Sequence, residues 1–146
     1  DSNIFLYARD QDAGPKAAIA VDWLRRLASE QSGRTNLQVL NEVTHVMLRK
    51  RSTETAQQIF DEIDGLGFFG TAPIDESIVA AARGIHVAYR FSWWDSLLLA
   101  AALDLRCAYF LSEDLQDGQR ITIVDRSLTI VDPFAHSPTQ ILGHPT

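Results

Sequence analysis

Four acidic residues carry most of the chemistry this sequence offers: Asp1 at the first position, Glu42 in an apolar-striped segment, Asp95 three residues after Ser92, and Asp114 just past the apolar residues 108–111. Carboxylates gathered in one crevice repel one another and tend to hold protons, unless a divalent cation makes their charge useful. Magnesium suits that role because it takes oxygen ligands and keeps several waters. A water made acidic by such an ion can attack a phosphodiester while positive charge steadies the phosphate, and paired metals act this way at a separation of about 3.5–4 Å. Rival chemistries are weaker. Cys107 is the only cysteine, and His45, His86, His136 and His144 are scattered, so no Cys-His or Ser-His-Asp arrangement and no zinc-ligand spacing stands out.

Each acid also has a plainer reading. Asp1 can be a loose terminal residue, Glu42 a solvated helix position, Asp95 the capping partner of Ser92, and Asp114 the start of an Asx-type turn toward Gly118. Capping and metal ligation from one helix N-terminus are compatible, so the two readings of Asp95 do not compete. Asp10, Asp12, Glu113 and Asp125 read as ordinary solvated acids, and Cys107 as small core filler.

The elements that must position these acids alternate between helical and strand signals, which favours an α/β fold. Residues 4–8 read as a short helix, and Pro15 suits the start of the next, where its missing N–H is no loss. From Lys16 to Ser29, Ala20, Trp23, Leu24 and Leu27 recur at helical spacing. Asn36 or Thr35 caps a helix striped by Leu37, Leu40, Val43, Met47 and Leu48, which stops in the basic cluster Arg49-Lys50-Arg51. Another helix is expected over 54–66 with Ile59, Phe60 and Ile63 inward. Phe68-Phe69 and residues 72–74 suggest a short strand between glycine and proline signals. Asp75 caps a helix carrying Ile78, Val79, Ala82 and Ile85.

Ser92-Trp93-Trp94-Asp95 has the Ser-x-x-acid form of a helix start, and the helix beyond it, rich in leucine and alanine over 97–103, is apolar almost all round and so reads as buried against a sheet. Short buried strands are expected at 108–111 and 121–124, with a third at 128–131. In open α/β sheets the ligand crevice lies beyond the C-terminal strand ends, where helix N-termini also point. Asp95 and Asp114 both occupy such positions.

A length of 146 residues fits one domain, 1–146, large enough to bury a core without disulfides. At 46% hydrophobic and 22% charged residues the composition is that of a packed globular protein. The longest apolar run is far shorter than the roughly 20 residues that cross a bilayer, and no signal segment opens the chain, so a cytoplasmic location with no membrane association is expected. A net charge of −6 argues against a wide basic face gripping nucleic acid. It leaves open an acidic site whose bound metals meet the phosphate.

Four stretches resemble, in order, the motifs of the PIN-domain family: Asp1-Ser2-Asn3-Ile4-Phe5-Leu6-Tyr7-Ala8; Gln38-Val39-Leu40-Asn41-Glu42; Phe91-Ser92-Trp93-Trp94-Asp95 leading into residues 97–102; and Leu111-Ser112-Glu113-Asp114-Leu115-Gln116-Asp117-Gly118. The last is close to the form in VapC-type toxins. The resemblance implies a PIN-like three-layer α/β/α fold with a central parallel sheet flanked by helices, and an endoribonuclease dependent on Mg2+ or Mn2+. It also implies a homodimer, and a cognate VapB-like antitoxin whose tail fills the active-site groove. By motif position Asp1, Glu42, Asp95 and Asp114 correspond to the acidic metal-site residues, with Asp1, Asp95 and Asp114 as metal ligands. Asp117 stands where some members add an acid, and Asn3 and Ser112 match polar positions that support the first and last acids. The family has a strand before its first Asp, so residues upstream of Asp1 are expected in the natural protein.

The RNA implied is a structured one such as transfer or ribosomal RNA, cut in a single-stranded loop whose bases are accessible. Trp93 and Trp94 can stack on bases, although the start of a buried helix favours core or interface packing for them. Arg49, Lys50 and Arg51 can line an RNA path or be a solvated helix end. Two rival functions remain: a catalytically inactive PIN-fold module that binds RNA or protein, and a phosphoryl-transfer protein with an aspartate acceptor. The latter would want Asp-x-Asp near the start, where the third residue here is Asn3.

Overall fold

The computed structural model describes residues 1–51 and 53–145, so Ser52 and Thr146 of the expected domain span lie outside it. The described chain is α/β, as expected, and forms two compact units: residues 1, 3–33 and 102–145 in one, residues 2, 34–51 and 53–101 in the other.

The first unit holds the sheet. Helix α1 (Ser2–Arg9) is capped by Asp1, whose side chain accepts from the Asn3 amide, and it buries Ile4 and Phe5. Helix α2 (Pro15–Ser29) begins on its proline and buries Ala20, Trp23 and Arg26. Burial of a cation requires partners, and Arg26 has them: its Nε donates to Glu30 at 2.6 Å and its Nη2 to the Gly143 carbonyl at 2.7 Å. The indole N–H of Trp23 donates to the carbonyls of Pro133 and His136 at 2.9 and 3.2 Å.

Three strands, β1 (Tyr109–Leu111), β2 (Arg120–Ile123) and β3 (Arg126–Val131), lie in the order β1-β3-β2. The expected parallel pairing holds between β1 and β3, where Tyr109 faces Thr129 and Leu111 faces Val131. Strand β2 runs antiparallel to β3, from Arg120 opposite Thr129 to Ile123 opposite Arg126. The β1 and β2 strands are less buried than their apolar sequence implied, with only Phe110 and Ile121 inside, while Leu128, Ile130 and Val131 of β3 are all buried. The β2–β3 turn places Val124 at φ 53, a conformation that a β-branched side chain resists. A helix not anticipated, α7 (Pro138–Leu142), starts with a reciprocal Ser137–Gln140 capping box.

In the second unit, Asn36 caps α3 (Leu37–Lys50), and the buried face consists of Val39, Leu40, Val43 and Met47. Leu37, expected inward, is 42% exposed because at about 100° per residue it lies about 100° round the helix from the centre of that face. Thr55 and Gln58 form the capping box of α4 (Ala56–Leu66). Ile59 is fully buried, but Phe60, one residue and about 100° further round the helix, is 42% exposed. No strand forms at Phe68-Phe69 or 72–74. Residues Gly67–Phe69 make a 3₁₀ turn, and a single parallel bridge joins Asn36 to Ala72. Pro73 lacks the N–H a ladder would need, and Gly70, at φ 122, lies so close to the chain that an added Cβ would stand 3.1 Å from the Thr35 carbonyl oxygen. Helix α5 (Glu76–Tyr89), capped by Asp75, buries Ile78, Ala82 and Ile85.

Helix α6 (Trp93–Asp104) carries the chain from one unit to the other, and every residue from Ser96 to Leu103 is buried. An apolar sequence all round a helix predicts this. Among the described residues no helix is long and apolar enough to cross a membrane.

Candidate active site

Asp1, Asn3, Ser112 and Asp114 meet where α1 begins and β1 ends. The amino group of Asp1 donates to the Leu111 carbonyl at 2.7 Å, and the Ser112 amide donates to the Val131 carbonyl at 2.9 Å, carrying the β1–β3 ladder one residue past Leu111. Ser112 is buried, and its Oγ accepts from the Asp114 amide at 3.3 Å, which turns the chain off the sheet. Asn3 then touches both acids. Its amide donates to Asp1 Oδ1 at 3.1 Å, and its Nδ2 donates to Asp114 Oδ2 at 3.0 Å. Asp114 Oδ1 takes no hydrogen bond among the described residues. The amides of the first turn of α1, at the positive end of the helix, favour anionic side chains here.

Glu113 does not behave as the solvated acid its loop position implied. Its Oε1 accepts from the Tyr7 hydroxyl at 2.7 Å and its Oε2 from Lys16 Nζ at 2.6 Å. Burial opposes its charge, yet the hydrogen bonds from Lys16 and Tyr7 outweigh that effect and hold its carboxyl below the usual range. Its own hydrogen bond to Glu113 raises each donor above its ordinary value, Lys16 against the effect of burial and Tyr7 with burial adding to it. The Lys16 ammonium lies 4.9 Å from the ring centre of Tyr7 and 5.0 Å from that of Phe134, and the two rings meet edge to face at 5.2 Å. The sequence held one usable signal: Asn3 and Tyr7, four residues apart on a helix, share a face.

Asp117 is committed elsewhere in the first unit. Its Oδ1 accepts from the Asp132 amide at 2.9 Å and its Oδ2 lies 2.6 Å from His136 Nε2. The backbone bond from Asp132, then the one to His136, hold its carboxyl below the ordinary value.

Glu42 and Asp95 belong to the second unit. Glu42 is half-buried on α3 with Gln38 Nε2 at 3.5 Å, the limit of a hydrogen bond. Asp95 sits in the first turn of α6 in a reciprocal cap: its amide donates to Ser92 Oγ at 3.1 Å, and that hydroxyl donates to Asp95 Oδ2 at 2.9 Å. Ser96, fully buried, donates its hydroxyl to the Ser92 carbonyl at 2.8 Å. Trp93 packs edge-on to His86 with ring centres 6.5 Å apart, whereas Trp94 is 58% exposed.

A family model described as PIN domain matches residues 1–120, and so takes in all four motif stretches. The chain belongs to the PIN-domain family. No curated protein matches it. PIN domains are generally metal-dependent nucleases, so the PIN match points to a hydrolase acting on nucleic acid through a divalent metal. The helices and small sheet fit the α/β/α fold of such a domain. Among the described residues no three His, Cys, Asp or Glu side chains gather into a metal-holding group. What the PIN domain brings together is the carboxylate pair Asp1 and Asp114, spanned by Asn3. Hard oxygen donors of this kind fit magnesium or manganese, since magnesium is held through one or two carboxylates while keeping several waters.

Proposed function

We propose that this PIN domain is a VapC-type toxin, an endoribonuclease dependent on Mg2+ or Mn2+. The observation that carries the reading is Asn3: its backbone amide donates to Asp1 and its side-chain Nδ2 to Asp114, so one residue links the first and the last motif acids, which the sequence separates by more than a hundred residues. The bond to Asp1 is the cap of α1, whereas the bond from Nδ2 to Asp114 is one that helix capping does not call for, and it supports a site shared by the two acids.

In this reading Asp1 and Asp114 hold the ion with Asp95, and Glu42 completes the acidic set. The ion supplies, when bound, positive charge for the phosphate and a more acidic water. Asn3 fixes the orientation of Asp114 by occupying one of its oxygens, and leaves the other to ligation. Ser112 sets the turn that presents Asp114. Ser92 holds one oxygen of Asp95 and stiffens the first turn of α6. Asp117, bound to His136 and the Asp132 amide, supports the turn after Asp114 rather than ligating. The RNA is structured, cut in a single-stranded loop, and the toxin acts in the cytoplasm as a homodimer silenced by a cognate VapB-like antitoxin.

The test is cleavage. Purified protein is incubated with total cellular RNA and Mg2+ or Mn2+, beside an EDTA control and an Asp95→Asn variant. Discrete cuts that need metal and vanish in the variant are expected. Cutting that survives Asp95→Asn would refute the acidic mechanism, and a folded protein that binds RNA but cuts nothing under either metal would make it a binding module.

A further inference from the structure

Glu113 and Asp114 are consecutive acids in the turn that follows β1, and one face of α1 receives both. Asn3 takes Asp114 and Tyr7, one turn later on that face, takes Glu113. Lys16 closes the arrangement from the start of α2, at 2.6 Å from the second Glu113 oxygen. The Glu113 side chain is 15% exposed and both of its oxygens are held. The ammonium that neutralises it lies in turn against the rings of Tyr7 and Phe134 while its side chain stays 43% exposed, a placement in which aromatic faces attract a cation.

Such an assembly does two things for the residue beside it. It fixes the turn at a point one residue from Asp114, so that Asp114 can swing only within the limit set by Ser112 on one side and Glu113 on the other. It also keeps a strong oxygen ligand out of the site. A loose glutamate next to Asp114 would compete for the same cation or repel its neighbour, whereas Glu113 tied to Lys16 and Tyr7 does neither. We infer that Tyr7, Lys16 and Glu113 are positioning residues that set Asp114 for metal binding and hold Glu113 away from the metal. The inference rests on the reading of Asp114 as a ligand.

The test measures metal directly, without RNA. Mn2+ is titrated into the full chain and the free ion is followed by its electron paramagnetic resonance signal, below the unfolding temperature of every variant. Lys16→Met and Glu113→Gln are each expected to weaken Mn2+ binding three- to tenfold, Lys16→Arg to remain within twofold of the unaltered protein, and the double variant to lose no more than the worse single one, since the two groups act as a unit. A purely structural role would lower the melting temperature and leave the affinity of the folded protein where it was. Unaltered Mn2+ affinity in both Lys16→Met and Glu113→Gln would overturn the inference while the metal site stands. Asp114→Asn separates the two ideas: if that variant binds Mn2+ as tightly as the unaltered protein, the ligand reading falls and takes the clamp with it.

Discussion

Removing the Asn3 side chain gives the sharpest reading of the site, because its two bonds separate cleanly. The bond to Asp1 comes from the backbone amide and survives Asn3→Ala, so the cap of α1 is retained. Only the 3.0 Å bond from Nδ2 to Asp114 is lost. Hydrogen bonds to charged groups contribute about 1.5–3 kcal/mol, and the exposure of this one reduces the figure to about 1 kcal/mol through solvent screening. At about 1.4 kcal/mol per tenfold, Mn2+ affinity should fall about fivefold. Stability should change by no more than about 1 kcal/mol, a few degrees in Tm for a chain of this size. Titration calorimetry with Mn2+ beside a thermal melt measures both. A thousandfold loss of affinity would make Asn3 itself a ligand. Unchanged affinity with a steep fall in Tm would make the Asn3–Asp114 bond a structural tie, and the argument for the site would fail.

Two further outcomes follow from features away from the acids. Val124 is 93% exposed at φ 53, so Val124→Gly removes backbone strain and no packing; an increase of about 0.5–1 kcal/mol in urea unfolding is expected, and a decrease would show that the turn is not strained. The Asp117 carboxyl is held below its ordinary value by Asp132 and His136. Its contribution is therefore complete above the unfolded carboxylate range, near pH 4, and is lost as pH falls through the lower folded value. Asp117→Asn should flatten the acid limb of a pH–stability curve below about pH 5, and an unchanged limb would assign it to other groups.

Helices were legible where capping and periodicity agreed. Asn36, Asp75 and Ser92 each stand at the helix start their chemistry demands, and the leucine–alanine run of α6 is buried all round because no face of it is polar. Errors arose where a local pattern had no information about neighbours. Phe60 is as apolar as Ile59, and only packing decides that one is inside. Residues 68–74 carry strand-forming side chains, but Pro73 and the close approach at Gly70 stop a ladder from propagating. Asp1, Asn3, Ser112 and Asp114 were found from motif order, whereas Glu113 was passed over because its two partners, Tyr7 and Lys16, lie about a hundred residues away in the chain. No window of sequence joins them.

Strand β3 lies between β1 and β2 yet is the last of the three in the chain. A ribosome therefore makes both edges of the sheet before it makes the middle. The Ser112 amide beneath Asp114 waits for the Val131 carbonyl, and the ring of Phe134 that lies against Lys16 emerges later still. At 5–20 residues per second, the interval between residues 114 and 131 is about one to three seconds. During that time all four motif acids, Asp1, Glu42, Asp95 and Asp114, have been synthesised and the last of them has no sheet to stand on. On the ribonuclease reading proposed above, the acids would gain their scaffold only once β3 is made, and a truncation that removes β3 would leave all four motif acids without the sheet that seats Asp114.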